Sequence, residues 1–218
     1  MLWGKPNLEM RKYLIPITTA VYLIAAVVFF AIPAVSHISI WIPVALLAVT
    51  CAISKSQYRW MGAAALAASA VGDVFGGNGM FLPLVGSFTV AQILYAVTFI
   101  RMSKWNARRI PLALIPLAIA AVVGSRVLPN ISGILTIGVG VYIAVIVAMS
   151  VSAMFVERKG WWVLVVGVLL FVLSDSVIAW NRFVAHIPRA GLIIMTTYYA
   201  AQALLWSCLV RWTDKAER

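Results

Sequence analysis

Residues 161 to 180 read WWVLVVGVLLFVLSDSVIAW, and this run decides the fold. Twenty residues at 1.5 Å each make a helix of about 30 Å, the thickness of the hydrocarbon core of a bilayer. A helix suits that medium because it satisfies its own backbone donors and acceptors. Tryptophans at both ends of the run, Trp161, Trp162 and Trp180, fall where the two membrane interfaces would lie. The run contains a single ionisable side chain, Asp175.

Seven more apolar runs flank this one. The spans are expected near residues 13 to 35, 39 to 54, 60 to 76, 80 to 100, 110 to 128, 131 to 156, 161 to 180 and 190 to 211, the second being the shortest. Turn residues separate them: Pro33, the cluster Gly76-Gly77-Asn78-Gly79, Pro129-Asn130 and Pro188. With 64% hydrophobic and 11% charged residues in 218, no water-soluble core would hide the apolar surface. The expected fold is therefore all-α, a polytopic membrane helix bundle of about eight transmembrane helices. The run from Tyr13 to Ala34 is too long for a signal-peptide core, and cleavage after Ala34 would put Ile32 where a small residue is needed, so it reads as an uncleaved first span. Cys51 and Cys208 both fall in apolar runs and read as packing residues.

A net charge of +11 would point to nucleic acid in a soluble protein. Here it is explained by short basic loops, and no nucleic-acid partner is expected. Assigned to alternate sides of the membrane, fourteen Lys and Arg fall on the side of the two termini, and only Arg126, Arg182 and Arg189 on the other. The positive-inside bias then puts both termini in the cytoplasm. Residues 1 to 12 form a cytoplasmic N-terminal segment, 13 to 211 the transmembrane domain and 212 to 218 a cytoplasmic tail.

Matched residues point to a parallel four-plus-four internal repeat. Leu14-Ile15-Pro16 recurs 100 residues later as Leu114-Ile115-Pro116. Trp60, Asp73 and Phe81 recur 102 later as Trp162, Asp175 and Phe183, and Ala91-Gln92 with Arg101 recurs 110 later as Ala201-Gln202 with Arg211.

Of six acidic residues, Glu9, Glu157, Asp214 and Glu217 lie in basic segments as solvated charges. Asp73 and Asp175 lie inside apolar helices, where an ionised carboxylate costs at least about 2.5 kcal/mol. One such residue is as well explained by a helix-helix hydrogen bond as by function, but these two have matched depths. Asp73 is thirteen residues past Trp60 and Asp175 fourteen past Trp161, each about 20 Å from the cytoplasmic edge. Two carboxyls in one low-dielectric site disfavour double ionisation, which leaves one acid and one base. Gln92 and Tyr95 share a face of the fourth span, Tyr198, Tyr199 and Gln202 lie together on the eighth, and Tyr142 is mid-span in the sixth. Singly, each reads as an interhelical hydrogen bond; with the aspartates they read as a polar cavity. Trp3, Trp41, Trp60 and Trp212 join the interfacial belt.

These residues carry a resemblance. Ser69-Ala70-Val71-Gly72-Asp73 resembles the S-x-x-G-D motif of the YhhN-like lysoplasmalogenase family. Phe88, Ala91, Tyr95 and Phe99 fit its F-x-x-A-H-x-x-Y-x-x-x-F span, and Tyr142, Met149 and Ala153 look like its sixth span. Ser174-Asp175, Ile178-Ala179, Asn181 and Phe183, followed by Thr197-Tyr198-Tyr199-Ala200-Ala201-Gln202, are similar to its S-D-x-x-[LI]-A-x-N-x-F and T-Y-Y-x-A-Q. The similarity runs over about residues 40 to 210. Gln92 stands where the family usually has histidine, and Ile42 before Pro43 where it usually has lysine.

The resemblance implies hydrolysis of the vinyl ether of a lysophospholipid substrate, with Asp73 and Asp175 as the catalytic acid-base pair. Gln92, Tyr95, Tyr142, Asn181, Tyr198, Tyr199 and Gln202 would then be substrate-binding residues, with no cofactor or metal. It implies an integral protein of a bacterial cytoplasmic (inner) membrane, with membrane lipid around it. The same two aspartates also fit a small proton-coupled transporter. A zinc hydrolase of the three-histidine type is disfavoured, because only His37 and His186 are available.

The charge asymmetry is checked by cysteine labelling in intact cells. Asn78→Cys and His186→Cys should react with an impermeant thiol reagent from outside, and Lys104→Cys and Lys159→Cys only after permeabilisation. The reverse pattern would invert the topology.

Overall fold

In the computed structural model the described residues are 6 to 32, 36 and 39 to 212, with side chains from Tyr13 onward. They carry α1 (Pro6–Ala31), α2 (Ile42–Ile53), α3 (Arg59–Gly77), α4 (Phe81–Ile100), α5 (Ile110–Val127), α6 (Ile134–Met154), α7 (Trp161–Phe183) and α8 (Ala190–Arg211). Each expected span coincides with one of these helices. The first helix begins earlier than the apolar run, at Pro6, because proline is well tolerated in a helical first turn. Pro33, His37 and the tail beyond Trp212 lie outside the described residues.

Among the described residues, six helices are long and apolar enough to cross a membrane. The other two are α2 and α3, for different reasons. At twelve residues α2 rises only about 18 Å before the backbone turns extended at Ser54. With nineteen residues α3 has the length, but its sequence RWMGAAALAASAVGDVFGG is rich in Ala and Gly and lies between α2 and α4. A helix packed mainly on protein needs little lipid-facing apolar surface. At the periphery α1 does the opposite, exposing Ile17, Ile24 and Val27.

Small residues set how closely the helices approach, as expected where lipid removes the hydrophobic drive for association. On α7, a Cβ at Gly167 would stand 2.6 Å from Leu205 Cδ1 and 3.0 Å from Leu204 Cβ of α8. Tyr95, Phe99, Met149, Phe171 and Leu205 are fully buried at the centre. Cys51 and Cys208 are buried free thiols, as expected of packing residues.

At the basic end the loops after α4 and α6 are tied together. Lys104 N–H donates to the Phe155 carbonyl at 2.9 Å, Glu157 N–H to Met102 at 3.2 Å, and Lys104 pairs with Glu157 at 3.1 Å. The Arg109 guanidinium donates to the Val156 carbonyl at 2.5 Å and lies 4.1 Å over the Trp161 ring. Trp212 is buried there rather than spread at an interface, its indole N–H donating to Lys159.

Neighbour order follows the expected repeat. The sequence α1 on α2, α2 on α3, α3 on α4 recurs as α5 on α6, α6 on α7, α7 on α8, and the cross-half contacts α4–α6 and α8–α2 are exchanged by the same operation. Matched Phe81 and Phe183 meet edge to face at 5.4 Å. The Met102 carbonyl, bound by Glu157, has its counterpart 110 residues on in Trp212, whose carbonyl accepts from the Ser56 hydroxyl at 3.0 Å. Three contacts depart from the pattern: α5 packs on α7, and α8 touches α3 and α1, without equal counterparts under the same operation.

Because Gly167 is where α7 and α8 touch, Gly167→Leu should cost about 1 to 3 kcal/mol through overpacking. In detergent this reads as a lowered unfolding midpoint. An unchanged midpoint would mean that the helices tolerate separation there.

Candidate functional site

Both aspartates line one cavity of about 370 Å³, enclosed chiefly by α3, α4, α7 and α8. Each stands fourteen residues past the first residue of its helix, Arg59 for α3 and Trp161 for α7. Gly76, Gly79, Asn181, Arg182 and Gly191 also line the cavity, so it lies toward the end of the bundle away from the basic loops.

Asp73 is held by close packing around it. Gly72 lies against the Phe88 ring, where an added Cβ would approach to 2.9 Å. Phe88, Phe171 and Tyr198 meet pairwise edge to face at 5.7 to 6.1 Å, which fixes the phenol of Tyr198. That phenol donates to Asp73 Oδ2 at 2.9 Å. The carboxyl is buried and joins α3 to α8.

Asp175 has a different set of partners. Its Oδ2 accepts from the Tyr142 hydroxyl of α6 and from Gln92 Nε2 of α4, the latter at 3.3 Å. Gln92 Nε2 also donates to the Tyr142 oxygen at 3.0 Å, closing a triangle across three helices. Gln92 Oε1 is buried with no protein partner, a free acceptor beside the carboxyl. No hydrogen bond joins the two aspartates; each is met by its own tyrosine.

Two narrower cavities also reach Asp175. One, about 60 Å³, lies among Pro116, Ile119, Val139, Tyr142 and Val172 of α5, α6 and α7. The other, about 40 Å³, lies among Phe81, Leu84, Val139 and Phe183. Asp175 therefore stands where the larger chamber meets two narrow apolar crevices, and Asp73 borders the chamber alone.

Of the residues expected at the site, Asp73, Asp175, Tyr198 and Asn181 line the chamber, and Gln92 and Tyr142 meet Asp175 behind it. Asn181 Oδ1 accepts from the Ile187 N–H at 2.7 Å, so this side chain also ties down the loop after α7. Tyr95 and Gln202 pair with each other at 2.9 Å, fully buried and outside the chamber. Tyr199 donates to the Ile40 carbonyl at 2.7 Å, accepts at its own carbonyl from Tyr22, and stacks edgewise with Phe29 and Phe30. It anchors α1 rather than facing the chamber.

Arg182 at the chamber wall was not among the expected residues. Its signal was present in the sequence, since it lies two turns beyond Asp175 on the same face of α7.

Known proteins resemble this chain in sequence. It is 34% identical over 142 residues to human "Lysoplasmalogenase TMEM86B", covering 65% of this chain and 59% of that protein. To bovine "Lysoplasmalogenase TMEM86A" it is 34% identical over 147 residues, covering 63% and 60%. To the human protein of that name it is 35% identical over 147 residues, with the same coverage. The chain thus spans about three fifths of the length of these curated relatives. No solved structure matches it. The sequence profile of the YhhN family matches residues 11–209, nearly the whole of the helical bundle that encloses the two aspartates, and the chain belongs to that family.

Proposed function

We propose that this chain is a membrane-embedded hydrolase that cleaves the vinyl ether bond of lysoplasmalogen-like lipids to a fatty aldehyde and a glycerophospho-base. The observation that carries the reading is the convergence of the two intramembrane carboxyls on one chamber. Relatives named lysoplasmalogenases support the substrate class.

The chemistry needs an acid and a base in the same place. Asp175 accepts two hydrogen bonds, a setting that favours its role as the carboxylate; Asp73 accepts one and serves as the acid. Asp73 protonates the enol-ether β-carbon, and the adjacent carbon becomes an oxocarbenium ion. Asp175 takes a proton from water as its oxygen bonds to that carbon, giving a hemiacetal. In the collapse Asp175 returns its proton to the departing glycerol oxygen while Asp73 takes the proton of the hemiacetal hydroxyl. One water is consumed and both carboxyls end as they began. The two-carboxylate logic is that of glycosidases. Tyr142 and Gln92 orient Asp175, and Tyr198 orients Asp73.

With the basic loops in the cytoplasm, both termini lie on that side and the chamber lies toward the opposite surface. Residues 13 to 211 form the transmembrane domain, in a bacterial inner membrane, and the substrate is a lysophospholipid of the surrounding bilayer.

Asp73→Asn and Asp175→Asn keep shape but remove the titrating group, so both should purify folded in detergent. Aldehyde release from lysoplasmalogen, with chelator present, should fall about 100-fold or more in each. The double variant should be little worse than the worse single one. Wild-type rates in either variant would refute the carboxylate mechanism. A wild-type protein that hydrolyses no vinyl ether but moves protons or a solute in liposomes would replace the hydrolase with a transporter.

Tyr142→Phe removes one of the two donors to Asp175. In the same assay kcat should drop roughly tenfold, the loss expected for one hydrogen bond to a charged group. An unchanged kcat would remove Tyr142 from the mechanism.

A further inference from the structure

The chamber has a cation in its wall. Arg182 and Asp175 both line it, seven residues apart on α7. Seven residues are two helical turns, so the two positions share a face and are separated by about 10 Å along the axis. The Arg182 guanidinium lies 4.2 Å from the centre of the Phe81 ring and 5.8 Å from that of Phe183. Those rings contact each other, so the exposed side chain rests against an aromatic pair beside the chamber. Among the described residues no carboxylate pairs with it; the ion pair there is Lys104–Glu157, at the other end of the bundle.

A guanidinium lying over an aromatic ring makes that contact without consuming its N–H donors, which stay available to an anion. Two parallel donors match two oxygens of a phosphodiester. Gly79 and Gly191 line the same chamber, and an added Cβ at either would meet open space.

We propose that Arg182 binds the phosphodiester of a single-chain glycerophospholipid whose enol ether lies at Asp175. This deepens the hydrolase reading and rests on it for the identity of the reacting bond. The dimensions agree. Phosphorus is six bonds from the first enol-ether carbon and seven from the second, an extended reach of about 7 to 8 Å. Adding a hydrogen bond of about 3 Å to the guanidinium spans the separation of the two residues. Arg182 then acts on binding and register, and the carboxyls act on the bond.

The test separates phosphate recognition from catalysis. Full-length protein in a phosphate-free sugar detergent is titrated with two non-hydrolysable ligands: a 1-alkyl lysophosphatidylethanolamine and the corresponding 1-alkylglycerol. Wild type should bind the phospholipid at least tenfold more tightly, and Arg182→Gln should abolish most of that ratio. Arg182→Lys, which keeps the charge but loses the fork, should fall between. With the 1-alkenyl substrates the kcat/KM ratio should contract by the same factor, mainly through KM. An Arg182→Gln variant that keeps the wild-type binding ratio overturns the proposal, as does equal weakening toward both ligands, which would mark Arg182 as structural or as an anchor to bilayer phosphate. Failure of the wild type to hydrolyse either alkenyl substrate sinks the hydrolase reading, and the binding ratio still decides the role of Arg182.

Discussion

A carboxyl group inside hydrocarbon must find hydrogen-bond donors in the protein, and much of this bundle is arranged around meeting that need twice. Asp73 on α3 is met by Tyr198 on α8; Asp175 on α7 is met by Tyr142 on α6 and Gln92 on α4. These bonds connect five of the helices and cross between the two halves of the chain. Removing either aspartate leaves donors without an acceptor, and moving any of the five helices breaks one of these bonds. The same bonds that satisfy the carboxyls thus fix the walls of the chamber.

Such bonds need close helices, which the small residues allow. Gly72 lets Phe88 reach the backbone beside Asp73, and Phe88 in turn buttresses the tyrosine that Asp73 requires. Gly167 brings α7 onto α8 near the middle of the bundle. Glycine carries a propensity penalty in a water-exposed helix, but in lipid the backbone bonds have no competitor and the gain in contact prevails.

The helices were legible because hydropathy and the positive charges of the loops act locally: every expected span found its helix, and both aspartates were recognisable as anomalies within apolar runs. Partnerships across the bundle were less legible. Tyr198 and Tyr199 are adjacent in sequence and alike in chemistry, yet one meets Asp73 and the other the Ile40 carbonyl, because neighbours on a helix point about 100° apart. Gln92 and Gln202 match in the repeat, yet Gln92 meets an aspartate and Gln202 a tyrosine. Such differences follow from which helix lies opposite, which no local pattern encodes. The sequence signal of Arg182 is not a distinct one, because a cation at a helix end also fits an interfacial residue.

The tied loops at the basic end carry a consequence for bioenergetics. Beneath the chamber the centre of the bundle is filled by Tyr95, Phe99, Met149, Phe171 and Leu205, and below them the loops after α4 and α6 are bridged backbone to backbone. Two titrating carboxyls within a membrane that maintains an electrochemical gradient would short-circuit it if water reached them from both faces. A packed plug beneath the chamber closes that path on the side of the basic loops. The bundle can thus carry two buried carboxyls in a membrane without opening a continuous water path from one face to the other.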